Sequence, residues 1–94
     1  MRPSEVSSPQ IIRLQGEYDL TRRDELAALF GSLGEGALVI DMSGVTYVDS
    51  SALSELAALR SRSAERQISL VGVNDHIRRI FDIVSFHQIF DIAE

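Results

Sequence analysis

The chain has 94 residues, of which 45% are hydrophobic and 24% are charged, and this balance is typical of one globular domain. Its net charge of −5 disfavours nucleic acid and anionic membrane surfaces as partners, so we expect no nucleic-acid partner. The sequence contains neither cysteine nor lysine, which excludes disulfides, thiolate nucleophiles, Cys-type zinc sites and Schiff-base or P-loop lysine chemistry.

Hydropathy predicts neither membrane insertion nor export. No apolar run approaches the roughly 20 residues that a membrane-spanning helix needs. The first ten residues, MRPSEVSSPQ, lack the apolar segment of a secretory signal. We therefore expect a cytoplasmic protein that folds as a single domain over residues 1–94.

The first third of the chain predicts a strand followed by a helix. Residues 1–9 are polar and contain two prolines, which favours a frayed end or a short edge strand. Segment 10–15 alternates apolar and polar residues and predicts a strand, and segment 16–20 predicts a turn-like connection. Thr21 then opens a helix with the capping-box-like start Thr21-x-x-Asp24. The helix has one apolar stripe, formed by Leu26, Leu29, Phe30 and Leu33.

The rest of the chain continues this alternation. Residues 37–42 form an apolar run of strand length, which is typical of a strand covered on both faces. A second helix is predicted at about 51–65, a third strand at 67–73, and a last strand or extended tail at 88–92. Asn74 or Asp75 is expected to cap a third helix. The predicted inner faces of the second and third helices are Leu53, Leu56, Ala57 and Arg60, and Ile77, Ile80, Phe81 and Val84.

Strands and helices therefore alternate along the whole sequence, with no linker or internal repeat between them. Such alternation requires crossover connections between strands. The predicted fold class is α/β, with a small mixed or mostly parallel β-sheet and helices packed on it.

The turn before the second helix is the most informative segment. Asp49, Ser50 and Ser51 follow a β-branched and aromatic run, and one of the three is expected to cap the helix. One capping side chain suffices, so the additional serine indicates a second role. A hydroxyl at a helix N-terminus lies at the positive end of the macrodipole among free amide groups, which favours a phosphate. The pair of serines therefore predicts a phosphate-dependent switch.

A second strand-to-helix loop contains Gly16, Glu17, Tyr18 and Asp19. By itself this loop indicates only a glycine at an unusual backbone angle and an acidic residue near a helix start. In a sheet with neighbouring parallel strands, however, both loops emerge at the carboxyl edge, where α/β folds usually place their sites.

No catalytic constellation is predicted. A serine hydrolase needs a base within reach of the nucleophile, and the sequence contains no G-x-S-x-G elbow. His76 and His87 are eleven residues apart and match no metal motif, and no glycine-rich nucleotide motif is present. Asp41 and Asp49 would suit a receiver domain only with a lysine that the chain lacks. We expect a binding protein rather than an enzyme, with no catalytic residue, cofactor or metal.

Four stretches, in order and covering essentially the whole chain, are similar to the STAS domain family, specifically to stand-alone bacterial anti-sigma factor antagonists. The second stretch contains the family's Asp-Ser-Ser motif. The stretches are LQGEYD at 14–19, LVIDMSGV followed by YVDSS within 38–51, SLVGVN at 69–74, and IRRIFDIV at 77–84 with Phe90 after it.

The resemblance implies a phosphorylation-controlled regulator. Unphosphorylated protein would bind an anti-sigma factor that is also a serine kinase, and the kinase would phosphorylate Ser50 and then let go. A phosphatase would reset the protein. Asp49 would orient the loop, Ser51 would serve as the cap, and Asp19 with Glu17 and the rest of its loop would contribute to the partner surface.

One residue departs from the family pattern, and one alternative keeps the fold. Antagonists usually have glycine after the second serine, whereas this chain has Ala52, which favours a firmer helix start. STAS domains also serve as small cytoplasmic subunits of lipid-transporting ABC complexes, and Gly72, Val73, Asn74 and Asp75 are compatible with that role. In such a complex the domain would brace an ATPase and would need no phosphoserine.

Overall fold

The computed structural model describes residues 9–93, so the predicted frayed end or edge strand lies almost entirely outside the described residues. Four strands are described: β1 (Gln10–Tyr18), β2 (Leu38–Val48), β3 (Ile68–Val71) and β4 (Asp91–Ile92). Three α-helices alternate with them: α1 (Arg23–Gly31), α2 (Ser50–Arg62) and α3 (Asp75–Ile83). Two single-turn 3-10 helices lie at Leu20–Arg22 and Phe86–Gln88.

The described strands form one sheet in the order β1-β2-β3-β4, and every neighbouring pair is parallel. This arrangement confirms the predicted α/β class. Parallel crossovers are right-handed, and each crossover here moves one strand further in the same direction. The three helices therefore lie on the same face of the sheet.

Burial follows this one-sided arrangement. The buried strand residues all point to the helix side: Leu14, Tyr18, Leu38, Ile40, Met42, Val45, Val48, Ile68 and Leu70. Their neighbours in sequence, such as Arg13, Val39 and Ser69, are exposed or half-buried. The prediction that residues 37–42 are covered on both faces is wrong, because this strand order leaves the second face of the described sheet without a helix.

The helices close the core over that face. Their buried residues are Leu26, Phe30, Ala52, Leu56, Leu59, Ile77 and Phe81. Phe81 also contacts Phe86 with 5.3 Å between ring centroids, and Phe86 contacts Phe90 at 5.2 Å. These aromatic contacts anchor the last crossover, so the short strand β4 does not depend on its own pairing alone.

Both long strands continue past the predicted ends. β1 runs to Tyr18, so the predicted turn at 16–20 is wrong for its first three residues. The pairing of β1 with β2 shifts register between Arg13 and Gln15 and again between Gly16 and Glu17. Such bulges accommodate residues that interrupt regular pairing, and they allow β2 to reach Val48 rather than ending near residue 42.

β2 carries the extra residues of both register shifts, and bulges of this kind bend a strand. Side chains and the start of the third crossover hold this bend in β2. The Asp41 carboxylate accepts a hydrogen bond from the Ser43 amide at 2.9 Å, and this bond lowers the pKa of Asp41. Asn74 donates from Nδ2 to the Val45 carbonyl at 3.2 Å. Gly72 has φ +71°, and a Cβ placed on it would lie 2.8 Å from the Cβ of Ser43. The turn before α3 therefore packs directly against the bend.

The inner face of α2 differs from the prediction. Ala52, Leu56 and Leu59 are buried, whereas Ala57 is exposed. The guanidinium of Arg60, predicted to lie on the inner stripe, donates to backbone carbonyls of Ser63, Arg66 and Ile89 instead. Both sets of residues have helical spacing, so periodicity alone does not distinguish them. Arg60 therefore ties the loop after α2 to the segment before β4.

The third helix agrees with the sequence in its start and its face. Asn74 caps α3 by accepting from the Ile77 amide at 2.8 Å, as predicted. Ile77 and Phe81 are buried and Ile80 packs against the core, while Val84 lies beyond the helix end and is exposed. Over residues 9–93, no helix has the length and apolar composition needed to cross a bilayer.

Candidate functional site

Two strand-to-helix turns lie side by side at the carboxyl edge of the sheet. Tyr18 at the end of β1 is in register with Val48 at the end of β2. The Asp49 amide donates to the Tyr18 carbonyl at 3.2 Å. The first turn, Asp19-Leu20-Thr21, and the second turn, Asp49-Ser50-Ser51, therefore form one surface, as the sequence predicts.

Asp49 caps α2 in the second turn. Its backbone is extended, with φ −118° and ψ −171°, and its Oδ1 accepts from the amides of Ser51 at 2.8 Å and Ala52 at 3.3 Å. The expectation that Ser51 serves as the cap is wrong. The Asp49 carboxylate lies one position before the helix and reaches both amides. The Ser51 hydroxyl lies within the first helical turn of α2 and does not reach them.

Ser50 is the first residue of α2, and it is exposed. Within residues 9–93, its hydroxyl has no hydrogen-bond partner. Ser51 is half-buried, and Ala52 is only 3% exposed and belongs to the core. Three residues around this turn therefore have separate roles. Asp49 fixes the backbone, the buried Ala52 packs the start of α2 onto the core, and Ser50 presents a free hydroxyl outward.

Asp19 occupies the matching position in the first turn. Its φ of −111° and ψ of −172° are nearly those of Asp49, and its Oδ1 accepts from the Thr21 amide at 2.9 Å and from the Thr21 hydroxyl. The hydroxyl contributes most to lowering the pKa of the Asp19 carboxyl below its usual value. The predicted helix start at Thr21 with Asp24 is wrong: Asp19 draws Thr21 into a 3-10 turn, and α1 begins at Arg23.

Arg22 braces the first turn, a role that no sequence motif indicates. Its guanidinium lies 4.1 Å from the centroid of the Tyr18 ring. Nη1 donates to the carbonyls of Gln15 at 2.7 Å and Glu17 at 3.3 Å. Nε and Nη2 donate to the Glu25 carboxylate, so the pKa of Glu25 is lowered and that of Arg22 is raised. Arg22 thus ties the end of β1 to the start of α1.

Gly16 is the sequence signal that could have revealed this arginine. It has φ +89°, and a Cβ placed on it would lie 3.1 Å from Nη1 of Arg22. A glycine at the loop start was noticed in the sequence, but nothing in the pattern shows which side chain needs the space. Arg23, the next residue, pairs with Glu55 of α2 at 3.0 Å and links the two helices behind the turns.

The edge carries an excess of carboxylates. Glu17 is exposed and in register with Tyr47 of β2, and Asp24 is exposed at the start of α1. In the described part of the chain, neither carboxylate has an ion-pair partner. The neighbouring arginines, Arg22 and Arg23, are already paired with glutamates. A partner that docks here meets net negative charge.

The site is a surface rather than a cleft. A groove of about 770 Å³ lies at the opposite edge, between segments 31–37 and 61–67, away from both turns. Across residues 9–93, no group of three or more His, Cys, Asp or Glu side chains is arranged to hold a metal ion. His76 is exposed at the start of α3, and His87 lies at the other end of the fold, 3.9 Å from Asp82. The geometry suits contact with a macromolecule.

Comparisons with known proteins agree with this fold. A family model described as "Mlab, STAS domain" matches residues 1–92, and the chain belongs to the STAS domain family. A STAS-domain containing protein of Pseudomonas aeruginosa is 30% identical over 95 aligned positions, which cover 97% of this chain and 94% of that protein. "Putative anti-sigma factor antagonist BtrV" of Bordetella bronchiseptica is 28% identical over 85 positions, covering 85% of this chain and 73% of that protein.

Proposed function

We propose that this protein is an anti-sigma factor antagonist that binds a kinase-type anti-sigma factor through the two turns and is released when Ser50 is phosphorylated. One observation carries the proposal: an exposed hydroxyl without a partner stands on a backbone that Asp49 holds in place. The similarity to a protein named as an antagonist supports the choice of partner.

The reaction requires only the serine from this chain. The Ser50 oxygen would attack the γ-phosphorus of ATP held by the kinase, ADP would leave, and the hydroxyl proton would pass to a base of the kinase. A phosphatase would hydrolyse the phosphoserine with water and restore the hydroxyl. The protein is then a substrate and a ligand, with no catalytic residue of its own.

The structure also supports a reason for release. A phosphoserine carries roughly −1.5 to −2 charges at neutral pH. The Asp49 carboxylate already occupies the amides of Ser51 and Ala52, so the phosphate would share the end of α2 with a negative group and project outward. A partner surface packed against a neutral hydroxyl and acidic neighbours would then face an unmatched charge. Such a mismatch costs several kcal/mol, so binding is expected to weaken by about 100-fold or more.

The other residues of the surface have distinct proposed roles. Asp19 and Glu17 would contribute negative charge to the partner interface. Asp49 would orient Ser50 through its hydrogen bonds to the first turn of α2. Ser51, half-buried beside Ser50, would contact the rim of the kinase rather than accept the phosphate.

The decisive experiment uses the anti-sigma factor serine kinases encoded in the source genome, each purified and incubated with this protein and Mg-ATP. We expect mass spectrometry to find one phosphate, on Ser50. Ser50→Ala should block modification and preserve binding, and Ser50→Asp should weaken binding. Ser51→Ala is the matched control and should still be phosphorylated. Equal binding by the parent, Ser50→Ala and Ser50→Asp proteins would refute the switch.

A second candidate function is the cytoplasmic STAS subunit of a lipid-transporting ABC complex. Ala52 favours it, because a buried alanine bonded to the cap makes the start of α2 firmer than the glycine usual in antagonists. That role needs no phosphoserine. Stable assembly with an ABC ATPase, unchanged by Ser50→Asp and without phosphorylation by any of the kinases, would support this candidate over the first.

A further inference from the structure

Leu20 occupies the same place in the first turn that Ser50 occupies in the second. Each residue directly follows the capping aspartate, and the two caps have nearly equal backbone angles. Tyr18 and Val48 are in register at the ends of their strands, and the Asp49 amide donates to the Tyr18 carbonyl, so Leu20 and Ser50, each two residues after its strand, lie on neighbouring turns. The Leu20 side chain is 64% exposed.

The fold does not account for this leucine. The 3-10 helix at Leu20–Arg22 buries no residue, so Leu20 adds nothing to the core. The first turn of a helix favours acidic or small polar side chains, and a leucine has no favourable interaction with the helix dipole. The backbone of Leu20 is nevertheless fixed, because Asp19 before it and Arg22 after it are both hydrogen-bonded. An apolar side chain on a fixed backbone loses less conformational freedom on burial by a partner than one on a mobile loop.

The charges around Leu20 limit what could cover it. Glu17 and Asp24 are exposed carboxylates on either side of the turn in sequence. The nearby cations, Arg22 and Arg23, are turned toward Glu25 and Glu55. A surface that buries Leu20 therefore needs an apolar pocket with basic side chains at its rim.

We infer that Leu20 is an apolar anchor for the protein that phosphorylates Ser50, inserted into an apolar pocket beside the kinase active site whose basic side chains face Glu17 and Asp24 rather than Ser50. The inference rests on the proposed function and names one residue that determines the affinity of the same partner. A small number of central, well-packed side chains supply most of the binding energy of protein interfaces. A leucine next to the phosphorylated serine would fix the register in which Ser50 enters the kinase.

The test compares Leu20 with Ile83, an apolar residue that is 76% exposed at the end of α3. Helix α3 connects β3 to β4, whereas Leu20 follows β1 at the other side of the sheet. Binding to the purified anti-sigma factor kinase is measured by calorimetry for Leu20→Ala, Leu20→Asp, Ile83→Ala and Ile83→Asp. We expect Leu20→Ala to raise Kd about tenfold, which corresponds to about 1.4 kcal/mol, and Leu20→Asp to raise it further. Both Ile83 variants should bind within about twofold of the parent.

Kinetics of Ser50 phosphorylation provide a second readout. Leu20→Ala should raise KM and leave kcat unchanged, because an anchor that does not touch the transferred phosphoryl group stabilises the bound state and the transition state alike. Circular dichroism and the unfolding midpoint show whether each variant is folded. If Ser50 is phosphorylated normally and Leu20→Ala binds like the parent, Leu20 is not an anchor although the proposed function stands. If no kinase binds or modifies the parent protein, the proposed function fails, and this inference fails with it.

Discussion

The two turns at the carboxyl edge share a cap and differ in how they are braced. Asp19 and Asp49 have nearly equal backbone angles, and each accepts the amide two residues ahead. The first turn is further tied by the Thr21 hydroxyl and by Arg22, which reaches back to β1. The second turn has only Asp49 and the buried Ala52, and it leaves the Ser50 hydroxyl free. The difference separates a rigid support from a position whose hydroxyl has no hydrogen-bond partner within residues 9–93.

The largest effect is expected from Gly16→Ala, which disturbs the bracing of the first turn alone. The alanine would adopt φ +89° and bring its Cβ near Arg22, and we expect a loss of roughly 1–2 kcal/mol in the free energy of unfolding. Urea unfolding measures it. Gly31→Ala is the control, because a Cβ at Gly31 meets nothing within 4 Å and its φ is not positive. Equal stability of the two variants would show that Arg22 does not need the space at Gly16.

The next effect compares the two caps directly. Asp49→Ala removes the side-chain bonds to two amides at the start of the 13-residue helix α2, and we expect a loss of about 1 kcal/mol. Asp19→Ala should cost less, because its cap serves a 3-10 helix of three residues that Arg22 also holds. Asp49→Asn, which preserves an acceptor, should recover most of the loss. A larger loss for Asp19→Ala would reverse the comparison.

A smaller effect concerns the dependence of stability on pH. The pKa of Asp19 is lowered in the folded protein, so its contribution to stability is present above the unfolded value near 3.8 and is lost as pH falls through the folded value. Thr21→Val removes the hydroxyl that contributes most to lowering the pKa of Asp19, so this pKa should rise toward its usual value. Carboxyl-carbon NMR titration measures this change. Ser51→Ala, the matching hydroxyl deletion in the second turn, should leave the titration of Asp19 unchanged.

The smallest effect is expected at Ser50 itself. Its hydroxyl makes no hydrogen bond within residues 9–93, so Ser50→Ala should change the free energy of unfolding by less than about 0.5 kcal/mol. The free energy of unfolding in urea is measured for Ser50→Ala and for Thr21→Val. The second variant provides the comparison, since it loses a hydrogen-bonded hydroxyl in the first turn. A clear destabilisation by Ser50→Ala would mean that the hydroxyl is engaged in the fold and is less available to a kinase.

The sequence predicts much of this architecture because its apolar pattern is regular. The alternation in β1, the Asn74 cap and the inner positions of α3 all follow from local rules, and the fold class follows from the order of elements. The family resemblance is confirmed by the match to the STAS family, which includes the region of the Asp-Ser-Ser turn. The role of Ser50 as a phosphorylation site stays a prediction.

Other features depend on contacts between distant residues, which a local pattern does not contain. The start of α1 shifts because Asp19 and Arg22 act together on a short turn. The extension of β2 depends on bulges that pair with β1, and the open second face of the sheet depends on strand order. The role of Arg22 depends on Glu25, Tyr18 and two backbone carbonyls together, and no local sequence motif marks such a set of partners.

The close approach of Gly72 to Ser43 limits how far the chain could be shortened without disturbing the position of Ser50. The last stretch of β2, which leads to the serine, is held by contacts that arrive 29 or more residues later in the chain. A synthetic peptide spanning only 45–56 would carry the motif without the clamp that orients it. We therefore expect an enzyme that acts on Ser50 to modify the intact domain and not the isolated peptide, so that a linear-motif array would miss the site.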